Sequence, residues 1–282
     1  MSTGASRTVL ITGCSSGFGL LAAVEFARRG CHVVATVRDA SVAGSLHAAA
    51  EAAGVEVEVA ELDVRSTESV ERAVADVVAS GPLDVVVNNA GLEVFGAVHL
   101  VSDDEVIRQF DTNVHGPVRV VRAAVPHMIE RGAGTIVNVG SVAGVVGAPY
   151  SGLYAASKHA LEALTEAMHF ELAQHGVRVS IVEPGQFATE LAAKATVAAA
   201  MPPGSAEHER WQRFRTAMRG LVDGEPADPQ RVAEVICDAA LGDEWKLRWP
   251  VGDDADLVIA TKSTMGFEDF ETTMRAALDW HE

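Results

Sequence analysis

A phenol and an ammonium stand four residues apart in Tyr154-Ala155-Ala156-Ser157-Lys158, ahead of the helix-like run His159 to Met168. On a helix, residues at i and i+4 share one face about one turn apart, so these two side chains meet. A free phenol ionises with a pKa of about 10, and a fixed cation beside it favours the phenolate. The pair therefore predicts a tyrosine that exchanges protons nearer neutral pH. Such neighbours on a surface helix are as a rule merely solvated, so further groups have to be found. Ser141 follows a predicted strand, Gly134 to Val139, and lies thirteen residues before Tyr154. Asn113 lies four residues before Pro117 in a predicted long helix opened by the capping-box spacing Ser102 to Glu105. Proline offers no N–H to the carbonyl four residues back, so the Asn113 carbonyl is expected to be free to hold a water.

The elements that position these groups begin with a strand, Arg7 to Thr12, and a glycine-rich turn, Gly13-Cys14-Ser15-Ser16-Gly17-Phe18-Gly19, leading into a helix with Leu20, Leu21, Val24 and Phe26. Glycines at a first strand-to-helix junction let the backbone approach a pyrophosphate, and free N–H groups at the helix start attract its charge. The next strand, Cys31 to Val37, ends at Arg38. In dinucleotide folds an acid near this point binds the ribose 2′-hydroxyl, whereas an Arg accommodates a 2′-phosphate. Val37 followed by Arg38 thus predicts NADP(H) in preference to NAD(H), with a surface pair to Asp39 as the ordinary alternative. A third strand, Val55 to Leu62, alternates Val and Glu and leads to Asp63 and Val64, where a carboxylate suits the adenine amino group. After a helix, Ser66 to Ser80, a strand from Leu83 to Val87 runs into Asn88-Asn89-Ala90-Gly91, at the edge where such sheets bind ligands. A last strand is read at Lys246 to Val251.

Composition limits the partners. Among 282 residues, 22 Lys and Arg stand against 39 Asp and Glu, a net charge of −17 that repels nucleic acid and anionic lipid. The apolar run Val9-Leu10-Ile11 is too short for a membrane span or a signal segment. Cys14, Cys31 and Cys237 have neither metal nor disulfide spacing, which suits a reducing, cytoplasmic setting, with Cys14 a small filler. No metal is expected, because the ten histidines include no His-x-x-x-His pair.

Together these motifs resemble the short-chain dehydrogenase/reductase family. The matching residues are Thr12-Gly13-x-x-x-Gly17-x-Gly19, Asp63, Asn88-Asn89-Ala90-Gly91, Asn113, Ser141, Tyr154-x-x-Ser157-Lys158 and Pro184-Gly185 with Thr189, in family order from residue 8 to about 190. The stretches Ile11 to Gly19 and Ala35 to Asp39 look like the 17β-hydroxysteroid and retinol dehydrogenase branch, which generally favours NADP(H) when Arg holds the place of Arg38. The resemblance implies a doubly wound Rossmann-type α/β fold, a parallel sheet of about seven strands with helices on both faces. It implies one domain over 1–282, with a substrate lid at about 190–226 and a C-terminal extension at about 253–282. Tyr154 would be general acid/base between a ketone or aldehyde and an alcohol. Lys158 would lower its pKa and hold the nicotinamide ribose, Ser141 would bind the substrate oxygen, and Asn113 would anchor a relay water. Cofactor contacts are expected from Gly13, Ser15, Ser16, Gly17, Phe18, Gly19, Arg38, Asp63, Val64, Asn88, Asn89, Ala90, Gly91, Tyr154, Lys158, Pro184, Gly185, Phe187 and Thr189. The departures from the family are Gly140, where many members carry Ser, and the bulky Gln186-Phe187. A non-catalytic NADPH-binding sensor or scaffold on this fold would need no such quartet as Asn113, Ser141, Tyr154 and Lys158.

Two stripes lie outside the motifs. Trp211, Phe214, Met218 and Leu221 recur at helical spacing in the lid, where they line an apolar substrate's pocket or pack as core. Phe267, Phe270, Met274 and Leu278 form a second stripe, packing on the sheet or on another subunit of a homodimer or homotetramer.

Overall fold

The computed structural model describes residues 6–187, 196–220 and 227–280, so the expectations for Thr189 and Leu221 lie outside the described residues. In chain order its elements are β1 (Thr8–Ile11), α1 (Gly17–Arg28), β2 (His32–Val37), α2 (Gly44–Ala53), β3 (Glu58–Glu61), α3 (Thr67–Ser80), β4 (Val85–Asn88) and a short β5 (Val94–Phe95). There follow α4 (Asp103–Phe110), α5 (Gly116–Arg131), β6 (Gly134–Val139), α6 (Gly152–Ala173), β7 (Val177–Pro184) and a short β8 (Thr196–Val197). The chain continues with α7 (Ala206–Gly220), α8 (Gln230–Leu241), β9 (Arg248–Val251), α9 (Asp253–Thr264) and α10 (Phe267–Ala277). Seven strands make one parallel sheet in the order β3-β2-β1-β4-β6-β7-β9. This is the doubly wound arrangement, and the reversal of winding falls between β1 and β4.

Strands buried on both faces need near-continuous apolar sequence, which β1, β2 and β4 have. One core lies between the sheet and α1 and α8, with Val9, Phe26, Val33, Val232 and Ile236 inside it. The other lies under α3, α5 and α6, with Leu10, Val74, Val120, Met128 and Leu172. At the edge, β3 is shorter than the strand read from sequence and does not keep its in–out alternation: Glu58 and Glu61 at its ends are exposed, while Val59 packs on one core and Ala60 on the other. β7 carries Arg178, Ser180 and Glu183 within its apolar run, and pattern alone did not single it out beyond its end at Pro184-Gly185.

The helix expected to run through Asn113 and Pro117 is not one α-helix. The capping box of Ser102 and Glu105 opens α4 as predicted, but a π-helical turn, Asp111–His115, separates it from α5. Pro117 falls in the first turn of α5, where a missing N–H is tolerated. The wider turn puts Thr112, Asn113 and Val114 inside the protein. Of the C-terminal stripe, Phe270 and Leu278 are buried within the chain while Phe267 is 63% exposed. Among the described residues no helix is long and apolar enough to cross a membrane.

Phe26 is fully buried between α1 and the sheet. Phe26→Ala should destabilise the fold by about 3–5 kcal/mol in denaturant unfolding, through lost transfer energy and the cavity left behind.

Candidate active site

The carboxyl ends of β1, β4, β6 and β7 lie along one edge of the sheet, carrying Gly13, Asn89, Ser141 and Gly185. The glycine turn is pressed against the loop after β4. A side chain at Gly13, whose φ is +74°, would bring its Cβ to 2.8 Å from Ala90 Cα, and one at Gly19 would overlap Asn89 Nδ2. Asn89 Nδ2 donates to the carbonyls of Thr12 and Gly13 at 2.9 and 3.0 Å, while Thr12 Oγ1 accepts from the Asn89 and Ala90 amides at 3.0 Å. Asn89 thus ties the turn in place. Gly17 (φ +59°) faces open space, with nothing within 4 Å of the Cβ it lacks, and it begins α1. A bare backbone at a helix amino end fits a pyrophosphate.

Arg38 is exposed past β2. Asp39 does not pair with it and instead accepts from the Ser41 amide at 2.8 Å. The guanidinium has no ion-pair partner among the described residues, which suits a ligand phosphate. Asp63 is held by Arg65 at 2.8 Å, and this hydrogen-bonded cation keeps its carboxyl below the usual carboxylate range. Val64 is buried against Gly116. Asn88 belongs to a buried chain in which it donates to Asn138 at 2.9 Å and Asn138 donates to Thr165 at 2.8 Å. Phe187 packs edge-on against Phe18 at 5.8 Å, and the neighbouring Gln186 amide donates to Asp254 at 2.6 Å.

Tyr154 and Lys158 lie in the first two turns of α6, 9% and 6% exposed. Ser141 hydrogen-bonds the phenol, and Lys158 Nζ donates to the Val139 carbonyl at 2.8 Å and sits 5.6 Å from the Tyr154 ring centre. Asn113 joins them through its side chain. Its Oδ1 accepts from the Leu92 amide and its Nδ2 donates to the Leu92 carbonyl, both at 2.9 Å, and Nδ2 also donates to Ser157 Oγ at 3.0 Å. All four predicted catalytic residues therefore converge. The electrostatics differ from expectation. Burial, followed by the Glu93 carboxylate, pushes the Tyr154 phenol up, and only the Ser141 hydrogen bond pulls it down. Lys158 does not deliver a net lowering, because a dry site penalises phenolate and the ammonium points at a carbonyl. Burial itself pulls Lys158 down to about 8, against the opposing charges of Glu93 and Glu162.

A family model described as short chain dehydrogenase matches residues 7–199, more than half of the chain. The chain belongs to the short chain dehydrogenase family. It is therefore an oxidoreductase. Retinol dehydrogenase 8 of Bos taurus is 42% identical over 242 residues, covering 82% of this chain and 77% of that protein. Human 17-beta-hydroxysteroid dehydrogenase type 1 is 37% identical over 261 residues, with 87% and 77% covered. A solved actinorhodin polyketide ketoreductase with NADPH superposes with a TM-score of 0.75 at 31% identity, over 89% of this chain and 97% of that one.

Several groups of this short-chain dehydrogenase's site were not legible beforehand. Glu93, Asn138, Thr165 and Arg215 carry no motif. Of the lid stripe, Trp211 and Phe214 are buried in packing, Trp211 against Phe95 at 5.6 Å and Phe214 against Tyr150 at 6.2 Å. Cys14 is buried with its thiol pushed up by burial, in keeping with a filler. A groove of about 620 Å³ beside Thr8, His32 and Gly81 lies at the amino edge of the sheet, away from this chemistry.

Behind Lys158, Glu162 and Glu183 meet in the interior, 6% and 1% exposed, and Arg248 Nε lies 3.2 Å from Glu162 Oε2. Gly140 is explained here, since a Cβ would stand 2.9 Å from Ile181 and 3.2 Å from Glu162 Oε1. No donor of the described residues reaches either carboxyl oxygen of Glu183, and a protonated Glu183 can donate a hydrogen bond to Glu162. Burial and then the Glu162 charge push Glu183 up. A group raised on folding stabilises below its unfolded pKa, and that contribution is lost as pH rises through the folded value. Wild-type thermal stability should therefore fall from about pH 5 to about pH 8, and Glu183→Gln should flatten that slope in melting curves.

Proposed function

We propose that this short-chain dehydrogenase interconverts a ketone or aldehyde and an alcohol with NADP(H), using Tyr154 as general acid/base. The observation that carries the reading is the convergence of Ser141, Tyr154 and Lys158 beside the glycine turn, on one edge of the sheet. The residues fit the cofactor. Gly13, Gly17 and Gly19 with Ser15, Ser16 and Phe18 would take the pyrophosphate side, and Arg38 would meet a 2′-phosphate. Asp63 and Val64 would flank the adenine, and Asn88 to Gly91, Lys158 and the Pro184 to Thr189 segment would flank the nicotinamide half. Bound NADPH supplies the hydride. The relative solved with NADPH, together with an Arg38 that has no ion-pair partner among the described residues, supports the 2′-phosphorylated form, with NAD(H) as a substitute.

For reduction, the Ser141 hydroxyl holds the carbonyl oxygen and the Tyr154 phenol gives it a proton. Lys158 steadies the phenolate left behind and passes a proton back to it, and the proton lost from Lys158 is replaced through a water near Asn113. A phenol held protonated by burial is ready for reduction at neutral pH, so oxidation, which needs phenolate, should gain rate as pH rises. The whole chain would work as one nucleotide-binding domain with α7 as its lid, and a soluble, self-associated form in the cytoplasm fits the free cysteines and exposed Phe267. The relatives named for retinol and for 17-beta-hydroxysteroid support an apolar substrate.

The deciding experiment is a panel of ketones, aldehydes and alcohols with NADPH or NADH, followed by absorbance of the reduced nicotinamide. Turnover should appear, and Tyr154→Phe should lower kcat by about 10²–10⁴-fold. A Tyr154→Phe variant as fast as wild type on every active substrate would refute the mechanism. Arg38→Ala should raise the KM for NADPH by about tenfold or more with a much smaller effect on NADH, because a charge-assisted contact is lost. An NADPH preference that survives this change would remove the assignment to Arg38.

A further inference from the structure

A residue of the C-terminal extension fastens the loop after β7. Gly185 and Gln186 follow Pro184 at the carboxyl edge of the sheet, outside any strand or helix, so their conformation depends on contacts from elsewhere. The Gly185 amide donates to the Val251 carbonyl at 2.9 Å, which carries the β7–β9 ladder one residue further. The next amide, of Gln186, leaves the ladder and donates at 2.6 Å to Oδ2 of Asp254, in the first turn of α9. Two glycines make room for that carboxylate. A Cβ at Gly185 would overlap Asp254 Oδ1, and one at Gly252, whose φ is +108°, would stand 2.6 Å from the same oxygen. Among the described residues Asp254 has no ion-pair partner, for Arg231 reaches Asp253 instead, at 3.5 Å. Phe187 continues the loop, with its ring edge-on to Phe18 of the glycine turn and 3.4 Å from where a Gly252 Cβ would lie.

Gly185 has no Cβ to restrict its backbone, so the orientation of the peptide that follows it is set by its partners. The Asp254 carboxylate sets it firmly, because with that peptide rotated the other way the Gly185 carbonyl would face the negative charge. The peptide is trans, and with its N–H drawn to α9 its carbonyl points away from Asp254. We propose that Asp254 is a positioning residue for the nicotinamide half of the cofactor, holding the Gly185–Gln186 peptide in one orientation and Phe187 against Phe18 before NADP(H) arrives. A backbone preorganised in this way loses less freedom when the ligand binds, and it fixes where the nicotinamide ring lies relative to Tyr154 and Ser141. The adenosine half, met at the glycine turn, Arg38 and Asp63, gains nothing from the clasp. This rests on the NADP(H) reading, in which the segment from Pro184 flanks the nicotinamide.

The test compares the binding of NADPH with that of 2′-phospho-ADP-ribose, which lacks the nicotinamide, by titration calorimetry on the purified chain. Asp254→Ala should weaken NADPH by about tenfold and leave 2′-phospho-ADP-ribose within about twofold of wild type, because a charge-assisted hydrogen bond is lost on the nicotinamide side alone. Asp254→Asn, which keeps an acceptor, should recover most of that loss. Asp253→Ala, at the exposed neighbour, should change neither affinity. Should Asp254→Ala fail to fold, Asp254→Glu, one methylene too long for the space between the two glycines, should show the same split between the ligands. Equal weakening of both ligands in the folded variants, or no weakening of NADPH, would overturn the inference while leaving the cofactor reading intact. A wild-type chain that binds neither ligand would overturn that reading and this inference with it.

Discussion

One asparagine side chain holds three parts of the site in register. Asn113 closes both hydrogen bonds on the Leu92 peptide and a third on Ser157, so the π-helical turn, the loop after β4 and helix α6 become one unit. Buried amides of this kind are strong only when fully paired, and the interior position of Asn113 makes their loss expensive. The widened turn is what lets the amide reach both partners. Ser157 in turn donates to the Tyr154 carbonyl at 2.7 Å, carrying the constraint to the start of α6. Gly91 lies in the narrow space between Asn113 and Lys158, where a Cβ would stand 3.5 Å from Asn113 Oδ1 and 4.0 Å from Lys158 Nζ.

A second clasp, Thr12 with Asn89, does the same for the nucleotide side. Here the polar side chains serve the backbone, and the open surface of the turn at Gly17 is left for a ligand. Placing both clasps at the carboxyl edge of a parallel sheet puts a charge-attracting helix start beside a proton-handling pair. That adjacency is what hydride transfer with proton management requires.

Burial governs the titrations of the site. Desolvation raises Tyr154 and Glu93 and lowers Lys158, each toward its neutral form. Deeper in, the same effect pushes Glu162 and Glu183 up beside Arg248. The aromatic packing of Trp211 and Phe214 on Phe95 and Tyr150 closes the outer side, and Tyr150 adopts φ +63° just before α6, a strained conformation for a bulky residue.

Much of the fold was legible because parallel sheets write themselves as apolar runs divided by helical periods and glycine turns. The motif order from Gly13 to Lys158 carried the family, since backbone approach at glycine and a one-turn Tyr–Lys spacing are local properties. The break at Asp111–His115 was not legible, because Pro117 reads alike inside a kinked helix or at the start of a new one. Glu93 and Arg215, far apart in the chain and without a motif, gained meaning only from the loop and lid that bring them to one chamber. Arg38 reads in sequence as phosphate ligand or surface pair, and the fold adds that Asp39 caps the next turn. Residue types and local spacing by themselves determined the doubly wound frame and the four converging groups. Burial and long-range charge, which depend on which distant segments pack together, were decided by the tertiary structure alone, and with them the ionisation of every acid and base in the site.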